Sequence, residues 1–335
     1  SDITKVSEEV FLEEMIALAH QINYKDEKPI VYTGKDDYLI FFSKHYALLS
    51  EYYQLSFETN FVKLNRALSK FELIDCAKKA KVLIPQTFTN KNSIEEILMG
   101  SEFPLIIKPA IKNRPELDVV SAAFRIKKCS DKAELLWAIN KLSSLDVDYV
   151  IQQYIPGDDN NLLTIGTYSK NGKLVAWSTS KKIRQFPPNT GECSVGVTFY
   201  NDELVPLAER LIKEIGLTGI SQIEFKKYNG EFYLIEINPR IWSWHQIHQK
   251  AGVNLALIAA ECIMGKTPTK VIEPFKGKKG EKKWMFLTMD YLHNNLLNDN
   301  VSKLSILKDF VVCDMEAFFD IKDLNPFINH YTSTR

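Results

Sequence analysis

Apolar positions along the chain predict an alternation of helices and strands. A helix near the N-terminus is predicted by apolar residues at helical spacing, namely Val10, Phe11, Met15, Ile16 and Ala19. Residues 29–32 predict a short strand, and the turn-rich loop over residues 33–37 leads into a second helix near Asp37. This order fits the second half of a βα-repeat domain, so we expect the native gene to encode more chain upstream of Ser1.

The middle of the chain predicts helices and strands in turn. Helical spacing covers residues 62–80 and is stopped by a proline. Residues 103–109 predict a buried strand that ends in a lysine, and residues 121–127 alternate like a strand. A helix capped by Ser130 comes next, and the following strand is predicted at residues 149–155.

Two hairpins are predicted in the second half of the chain. Asn171-Gly172 joins two alternating runs, residues 162–169 and 174–180, and is a strong hairpin signal. A second hairpin covers residues 221–238, and helices are predicted at residues 204–215 and 253–264. The whole pattern predicts an α/β chain of the α+β type. The last fifty residues mix helix and strand signals and suggest no catalytic or binding motif.

Composition narrows the class of protein. The chain has 335 residues, of which 45% are apolar and 25% charged, a balance typical of globular proteins. Lysine plus arginine equals aspartate plus glutamate, so no net charge favours nucleic acid as a partner. The sequence shows no signal peptide and no apolar run long enough to span a bilayer, so we expect a cytoplasmic protein. The cysteines are scattered without a CxxC pair, which predicts reduced, buried thiols: Cys76, Cys129, Cys193, Cys262 and Cys313.

The second hairpin carries acidic and amide side chains in an apolar strand. Glu236 and Asn238 share a face, because side chains two positions apart in a strand point the same way. Glu224 lies on the partner strand and shares that face only if the connecting loop has an odd number of residues. We therefore predict a three-residue loop in which Gly230 adopts a positive φ.

Such a set of oxygen ligands favours a metal ion. Two carboxylates and an amide on one face repel each other unless a cation lies between them. Hard oxygen ligands with only two carboxylates suit Mg²⁺, which completes its shell with water and phosphate. A solvated acidic sheet face explains the same spacing, so the pattern alone leaves both interpretations open.

The run from Glu224 to His245 resembles the metal-binding hairpin of ATP-grasp enzymes. The twelve-residue step from Glu224 to Glu236 and the Glu-Ile-Asn-Pro-Arg ending carry the likeness. The resemblance implies that Glu224, Glu236 and Asn238 hold two Mg²⁺ ions, or Mn²⁺ in their place, against the phosphates of ATP. It also implies that Arg240 neutralises charge on the transferred phosphoryl group or the acyl phosphate, with a structural ion pair as the alternative.

Further parts of that ATP site occur in the family's order. Lys70 matches the lysine that opens a helix in that family, and Lys108 ends a predicted strand; the resemblance assigns both lysines to the phosphates. Residues 149–155 resemble the adenine-binding hinge, which implies adenine contacts from Gln152, Gln153, Tyr154 and Ile155. Asp159, or else Asp158, is implied to bind the ribose, and an acidic turn without function is the alternative.

The basic segment over residues 181–188 resembles the same stretch in ATP-grasp enzymes near D-aspartate ligase. Lys182 and Arg184 share a face if the segment is extended, and the resemblance directs them at the γ-phosphate or at the acceptor's carboxylate. A solvated edge strand is the alternative. The resemblance covers roughly residues 28–330.

Two details set limits on this interpretation. Residues 110–120 contain no glycine, although many ATP-grasp enzymes carry a glycine-rich phosphate loop there. His245 and His248 have no third ligand nearby in the sequence, so we do not expect them to bind a metal.

The resemblance implies an ATP-grasp fold, in which two α+β subdomains clasp ATP. We expect a partial Rossmann-like, pre-ATP-grasp domain at its N-terminal side. The expected boundaries are 1–85 for that domain, 86–157 for the lid subdomain, 158–275 for the subdomain with the metal site and 276–335 for a C-terminal extension.

The implied function is an ADP-forming carboxylate-amine ligase that uses ATP and Mg²⁺. The expected partners are a small carboxylate and an amine, with an amino acid and a peptide or cell-envelope precursor as candidates. A homodimer is one option for the oligomeric state. An ATP-grasp phosphotransferase and a non-catalytic ATP-binding subunit are the alternatives.

Overall fold

The N-terminal region packs helices around a short parallel strand pair. The structure, a computed structural model, describes residues 2–22, 27–110, 126–186, 191–291 and 302–333. The elements of this region are α1 (Glu8–Ile22), β1 (Ile30–Val31), α2 (Asp36–Lys44), α3 (Tyr46–Leu49), β2 (Gln54–Leu55), α4 (Phe61–Leu68) and α5 (Lys70–Lys79). Strands β1 and β2 pair in parallel, and their core is formed by buried aromatic and leucine side chains, among them Phe11, Leu39, Phe42, Tyr53 and Leu64.

The helical stretch predicted over residues 62–80 is two helices rather than one. Ser69 has extended backbone angles, φ −79° and ψ 125°, and separates α4 from α5. The backbone N–H of Lys70 donates to the carbonyl of Ala110 instead of continuing the first helix (3.1 Å). The break therefore fixes Lys70 at the start of α5, next to the strand that carries Lys108.

An antiparallel sheet follows, which we call the small sheet. Its elements are β3 (Thr87–Thr89), α6 (Ile94–Gly100), β4 (Leu105–Pro109), β5 (Lys127–Cys129), α7 (Lys132–Ser143) and β6 (Tyr149–Gln153), and its strand order is β3-β6-β4-β5. The cap of α7 is Asp131, whose side chain accepts from the N–H of Glu134, so the predicted cap Ser130 was wrong by one residue. Most of the strand predicted at residues 121–127 lies outside the described residues.

The second antiparallel assembly, the large sheet, contains the predicted hairpins. Its strands are β7 (Leu162–Lys170), β8 (Lys173–Phe186), β9 (Glu192–Thr198), β10 (Gly219–Tyr228), β11 (Glu231–Asn238), β12 (Lys283–Met285) and β13 (Met315–Glu316). Their order is β11-β10-β7-β8-β9-β12-β13, with β12 and β13 parallel. The accompanying helices are α8 (Val205–Ile215), α9 (Ile247–Lys250), α10 (Leu255–Ile263), α11 (Lys303–Val312) and α12 (Asn325–Ser333).

The large sheet has one apolar face and one divided face. The apolar face packs against α5 and α8 through side chains such as Ile165, Ile223, Phe225, Leu211 and Ile237. At one end of the other face, Trp242 and Trp244 lie over Gly166 and Gly196. A Cβ on either glycine would lie 2.5 Å from a tryptophan ring atom, so only glycine leaves room for these rings.

The opposite end of that divided face is polar. We call it the polar half, and it is formed by Thr164, Ser180, Lys182, Glu224, Lys226 and Glu236. These side chains alternate along their strands with core residues, as strand geometry requires. In the described ranges, no helix combines the length and the apolarity that a membrane crossing needs.

Candidate functional site

The hairpin β10–β11 brings the predicted metal ligands together through a bulge. Its turn contains two residues, Asn229 and Gly230, with φ angles of 49° and 83°. The predicted three-residue loop is therefore wrong, although Gly230 has the predicted positive φ. The register shifts by one residue at Ile235, which is the extra residue of a β-bulge. Because of this bulge, Glu224 pairs directly with Glu236 on one face.

Side-chain hydrogen bonds connect Glu236 with Asn238, and Asn238 with Gln222. Nδ2 of Asn238 donates to Oε1 of Glu236 (3.0 Å) and to Oε1 of Gln222 (3.4 Å). Gln222 pairs with Asn238 across the strands and is buried. The amides thus orient the carboxylate of Glu236 on the polar half.

Lys182 supplies the positive charge beside these acids. Its Nζ lies 3.2 Å from Oε2 of Glu224, and both side chains are buried, with 7% and 6% exposed. Burial lowers the pKa of Lys182, but the neighbouring charges of Glu224 and Glu236 outweigh it and raise the pKa above the ordinary value. The lysine is therefore an ammonium at neutral pH.

A hydrogen-bonded chain leads from Lys182 to the predicted ribose ligand. Nζ of Lys182 lies 3.5 Å from Oε1 of Gln185, and Nε2 of Gln185 donates to Oδ1 of Asp159 (2.7 Å). Asp158 instead caps its own turn by accepting from the N–H of Asn160. Of the two predicted ribose acids, Asp159 is thus the one connected to the polar half.

Arg240 joins the hairpin β10–β11 to the N-terminal region. Its Nε donates to Oδ1 of Asp36 (2.5 Å), and its Nη2 lies 3.5 Å from Oδ1 of Asn238. Asp36 is the first residue of α2 and is buried, with 6% exposed. The ion pair that was the alternative for Arg240 therefore exists, and the guanidinium still borders Asn238.

Arg184 contacts a different set of acids. Its guanidinium donates to both oxygens of Asp290 (2.8 and 2.7 Å) and to Asp309 (2.7 Å). Strand β8 bulges between Lys182 and Arg184, which breaks the simple alternation that the sequence suggested. Burial lowers the pKa of Arg184, and the hydrogen bonds with Asp290 and Asp309 more than offset it. Its contact with a phosphate or a substrate stays a prediction.

Lys70 and Lys108 line a common cavity with Gln152. The cavity has a volume of about 20 Å³, and its walls also include Leu73, Ile74, Ile84, Leu234 and Ile235. Ile235 is the bulge residue that precedes Glu236, so this cavity adjoins the hairpin. A larger cavity of about 610 Å³ lies elsewhere, around Phe57 and Thr218, and the described residues that line it include none of the predicted site residues.

The predicted hinge is strand β6 and the residues after it, and its backbone bonds with residues that precede β3 and β4. The N–H of Gln153 donates to the carbonyl of Gln86 (2.9 Å), and that of Tyr154 to the carbonyl of Pro104 (3.3 Å). Nε2 of Gln152 donates to Thr87 (3.0 Å). The structure therefore places Gln152 at the cavity, whereas adenine contacts from Gln153, Tyr154 and Ile155 stay predictions.

Sequence reasoning missed two lysines around the hinge. Nζ of Lys128 lies 4.0 Å from the ring centroid of Tyr154, and Nζ of Lys226 lies 6.0 Å from it. Lys226 also donates to the carbonyl of Gly157 (2.7 Å), and burial lowers its pKa. The signal was present for Lys226, because it lies two positions beyond Glu224 and so shares its face. Gln222 carried the same signal, since it lies two positions before Glu224, whereas Asp36 and Gln185 gave no local signal.

His248 and most of the cysteines are buried, and Cys193 among them lies beside the polar half. Nδ1 of His248 bonds with Oγ of Ser178 (2.7 Å), and burial lowers the pKa of His248 to about 3. Cys76, Cys129, Cys193 and Cys262 are buried and Cys313 is half-buried. Burial raises the pKa of Cys193 far above its ordinary value, so this thiol stays protonated beside the polar half.

The oxygen ligands of this site suit Mg²⁺ only if water and phosphate complete its coordination shell. In the part of the chain that the structure describes, no group of three or more His, Cys, Asp or Glu side chains could hold a metal ion. Glu224 and Glu236 face each other and are supplemented by the amide oxygen of Asn238. Mg²⁺ accepts such a sparse set when water and phosphate complete its octahedron. The residues therefore fit a metal that binds together with a nucleotide.

Comparison with known proteins gives matches in sequence. Residues 147–282 match the family described as ATP-grasp in the biosynthetic pathway with Ter operon. D-aspartate ligase from Enterococcus faecium (strain Aus0004) is 23% identical over 272 residues, covering 75% of this chain and 63% of that protein. D-alanine–D-alanine ligase from Pelagibacter ubique is 25% identical over 174 residues, which cover 48% of this chain and 54% of the relative.

Solved structures show likeness in fold at low sequence identity. L-amino acid ligase from Bacillus licheniformis aligns with a TM-score of 0.58 and 17% identity, over 83% of this chain and 63% of that chain. The biotin carboxylase domain of 2-oxoglutarate carboxylase from Hydrogenobacter thermophilus, solved as a dimer with MgADP, ADP and bicarbonate, aligns with a TM-score of 0.60 and 15% identity. That alignment covers 81% of this chain and 60% of the other.

Proposed function

We infer that the chain is a member of the ATP-grasp superfamily, and from that premise we propose that it activates a carboxylate as an acyl phosphate and couples it to an amine. The α+β fold predicted from the sequence is confirmed. The chain spans about 63% of the length of the D-aspartate ligase it matches, so the activity is proposed for the site that is present.

One observation carries the proposal. Glu224, which is buried, and Glu236, which is half-buried, face each other on the sheet, with Asn238 beside Glu236 and the ammonium of Lys182 at 3.2 Å from Oε2 of Glu224. Burying like charges is costly unless cations compensate them. This arrangement supports a binding site for a metal ion and an anionic nucleotide, and it argues against a solvated acidic surface.

The residues around it are suited to ATP. In the proposal, Lys70 and Lys108 bind the phosphates as point charges, and the hinge from Gln152 to Ile155 binds the adenine. Asp159 binds the ribose, with Asp158 as the alternative. Glu224, Glu236 and Asn238 would hold Mg²⁺, which neutralises charge on the phosphates when bound.

Nucleotide entry requires the small sheet to move. The cavity between Lys70, Lys108 and Gln152 has a volume of about 20 Å³, room for about one water molecule. In the proposal, ATP enters when the lid, expected at residues 86–157, moves away from β11. Closure afterwards would exclude water from the reacting groups.

The proposed reaction has two steps. A carboxylate oxygen of the donor attacks the γ-phosphorus of ATP, the bond to ADP breaks, and an acyl phosphate forms. The amine nitrogen then attacks the acyl carbon, phosphate leaves, and the amine proton passes to solvent. Lys182, Arg184 and Arg240 offset the charge that develops on the phosphoryl oxygens.

The proposed substrates are small molecules. D-aspartate ligase and L-amino acid ligase are named for amino acids, and this supports an amino acid as one partner here. The other partner is an amine or carboxylate of a peptide or cell-envelope precursor. A homodimer is kept as a proposal, since one solved relative is a domain dimer.

A trapping assay tests the proposal. The protein is incubated with Mg-ATP, hydroxylamine and a panel of L- and D-amino acids and small carboxylates, and hydroxamate and phosphate are both measured. We expect hydroxamate with one class of acid. Glu236→Ala should reduce it by at least about 100-fold, the usual effect of removing one electrostatic stabiliser.

Glu231→Ala is the matched control. Glu231 is on the same strand but exposed at the turn, so its removal should leave hydroxamate formation unchanged. Phosphate release without hydroxamate would instead support a phosphotransferase. ATP binding with neither product for any acid would support a non-catalytic nucleotide-binding subunit.

A further inference from the structure

The pair Lys182–Glu224 lies where the proposed metal site needs an accessible carboxylate. The ammonium is 3.2 Å from Oε2 of Glu224, both side chains are buried, and Glu236 lies directly opposite. Within the described residues, Lys182 is the hydrogen-bond donor recorded for Glu224. The buried carboxylate of Glu224 and the half-buried carboxylate of Glu236 therefore have a cation nearby before any metal binds.

Lys182 and a divalent ion compete for the same oxygen atoms. Mg²⁺ binds carboxylate oxygens at about 2.0–2.1 Å, through the lone pairs that an ammonium also uses. Two cations held this close in a buried site also repel each other strongly. A metal ion at Glu224 therefore disfavours the present position of the ammonium, 3.2 Å from Oε2.

We propose that Lys182 is the internal counterion of Glu224 and that divalent metal binding displaces its ammonium toward Gln185. This inference rests on the proposed metal site at Glu224 and Glu236. Oε1 of Gln185 already lies 3.5 Å from the ammonium, and Gln185 is held by Asp159 through a 2.7 Å hydrogen bond. The displaced ammonium stays on the polar half, beside the residue proposed to bind the ribose.

Two consequences follow from the exchange. The lysine stabilises the metal-free protein and weakens metal binding when no nucleotide is present. Once ATP is bound, the displaced ammonium gains an anionic partner in the phosphates, so metal and nucleotide favour each other's binding. Lys182 thus discourages the site from filling with metal alone.

Mn²⁺ binding without nucleotide tests the exchange. Free and bound Mn²⁺ are measured by electron paramagnetic resonance for the wild type, Lys182→Met, Lys182→Gln and the control Lys181→Met. Lys181 is adjacent on β8, and its ammonium lies over Phe199 at 5.9 Å from the ring centroid. Both Lys182 variants should bind Mn²⁺ at least about fivefold more tightly, the lower end of coupling between sites, and Lys181→Met should not.

Thermal unfolding gives a second readout. Without metal, Lys182→Met should unfold at a lower temperature than the wild type, and saturating Mn²⁺ should raise its Tm more than that of the wild type. Lys182→Gln retains a hydrogen-bond donor for Glu224 and is expected to fold even if Lys182→Met does not.

Mn²⁺ affinity that is equal in all four proteins, or weaker in the Lys182 variants, would overturn the exchange and leave the proposed function standing. If no protein binds Mn²⁺ even with ATP present, the proposed metal site fails and the exchange fails with it. Tighter binding confined to the Lys182 variants supports both.

Discussion

Lys182 and Arg184, two cations of strand β8, each pair with a buried acid, and the two pairs are built differently. Lys182 makes one contact of 3.2 Å with Glu224, whose cross-strand neighbour is another carboxylate. Arg184 donates two hydrogen bonds to Asp290 and a third to Asp309, all within 2.8 Å. Ser194 completes the second cluster by donating to Asp290 (2.9 Å).

The difference separates charge that is fixed from charge that can be exchanged. The guanidinium of Arg184 matches both oxygens of Asp290, and such bidentate pairs are the strong and specific ones. The ammonium of Lys182 is a point charge with no preferred direction. We therefore interpret the Arg184 cluster as holding the C-terminal segment on the large sheet, and the Lys182 pair as adaptable.

Removing Arg184 should give the largest effect on stability. Arg184→Met leaves Asp290, which is 1% exposed, without its guanidinium, and breaking a buried pair in this way costs about 3–5 kcal/mol. Urea unfolding followed by circular dichroism measures the change. This stability test does not depend on any catalytic role of Arg184.

Arg184→Lys and Lys283→Met are the controls for that measurement. Arg184→Lys keeps the charge but loses the fork, so its loss should be intermediate. Lys283 contacts Asp309 at 2.6 Å but is 28% exposed, and its removal should cost about 1 kcal/mol or less. Equal losses for all three variants would contradict the special role of the bidentate pair.

Neutralising Glu236 should affect activity instead. Glu236→Gln removes one charge from the proposed metal site, and we expect kcat to fall by about 10²–10³-fold. The free energy of unfolding should change much less than for Arg184→Met, because the loss of attraction to Lys182 is offset by relief of repulsion with Glu224, and an acceptor for Asn238 is kept. A large loss of stability with unchanged kcat would contradict our interpretation, because it would give Glu236 the structural role that we assign to the Arg184 cluster.

Acid should lower the free energy of unfolding through His248. The stability comparisons above therefore apply at a pH above about 6.5. Burial lowers the pKa of His248 to about 3, and burial also lowers that of His245. The unfolded chain takes up a proton below a pKa of about 6.5 and the folded chain does not, so stability is fully present above that pH. It should fall by up to about 1.4 kcal/mol per pH unit as the pH drops from 6.5 toward 3.

Urea unfolding between pH 4 and pH 8 checks this dependence. His248→Gln removes the buried imidazole and should flatten the slope below pH 6.5. A slope that is the same in the wild type and in His248→Gln would show that other groups cause the acid sensitivity.

The turn that sets the carboxylate register should give the smallest effect. Gly230 has a φ of 83° with nothing near its missing Cβ, so Gly230→Ala should cost about 1 kcal/mol through backbone strain alone. Gly34 also has open space around it but no positive φ, and Gly34→Ala should be neutral or slightly stabilising. Thermal unfolding of the two variants, compared side by side, isolates the contribution of the backbone.

The sequence predicted what depends on local pattern. The two strands of the hairpin β10–β11, the turn Asn171-Gly172 and the helix closed by Gly216 are confirmed, since each rests on periodicity or on a residue that tolerates positive φ. The pattern also indicates one extra residue between Glu224 and Glu236. The prediction puts that residue in the turn, whereas the structure has it at Ile235, and no apolar run distinguishes a bulge from a regular strand.

Contacts between distant segments could not be predicted in this way. Arg184 meets Asp290 and Asp309 across separations of 106 and 125 residues, and Arg240 meets Asp36 across 204. Spacing along a strand carries no information about such partners. The domain boundaries and the roles of the site residues stay predictions for the same reason, because they concern binding and motion.

The bulge at Ile235 also constrains how the length of this hairpin can change. With a two-residue turn, Glu224 would face the position before Glu236, and the extra residue compensates for that offset. A deletion of Ile235 would leave a regular hairpin in which the two glutamates still pair. A deletion between Glu236 and Asn238 would instead put their side chains on opposite faces. A single-residue deletion in this hairpin is therefore expected to be tolerated at Ile235 and to be disruptive between Glu236 and Asn238.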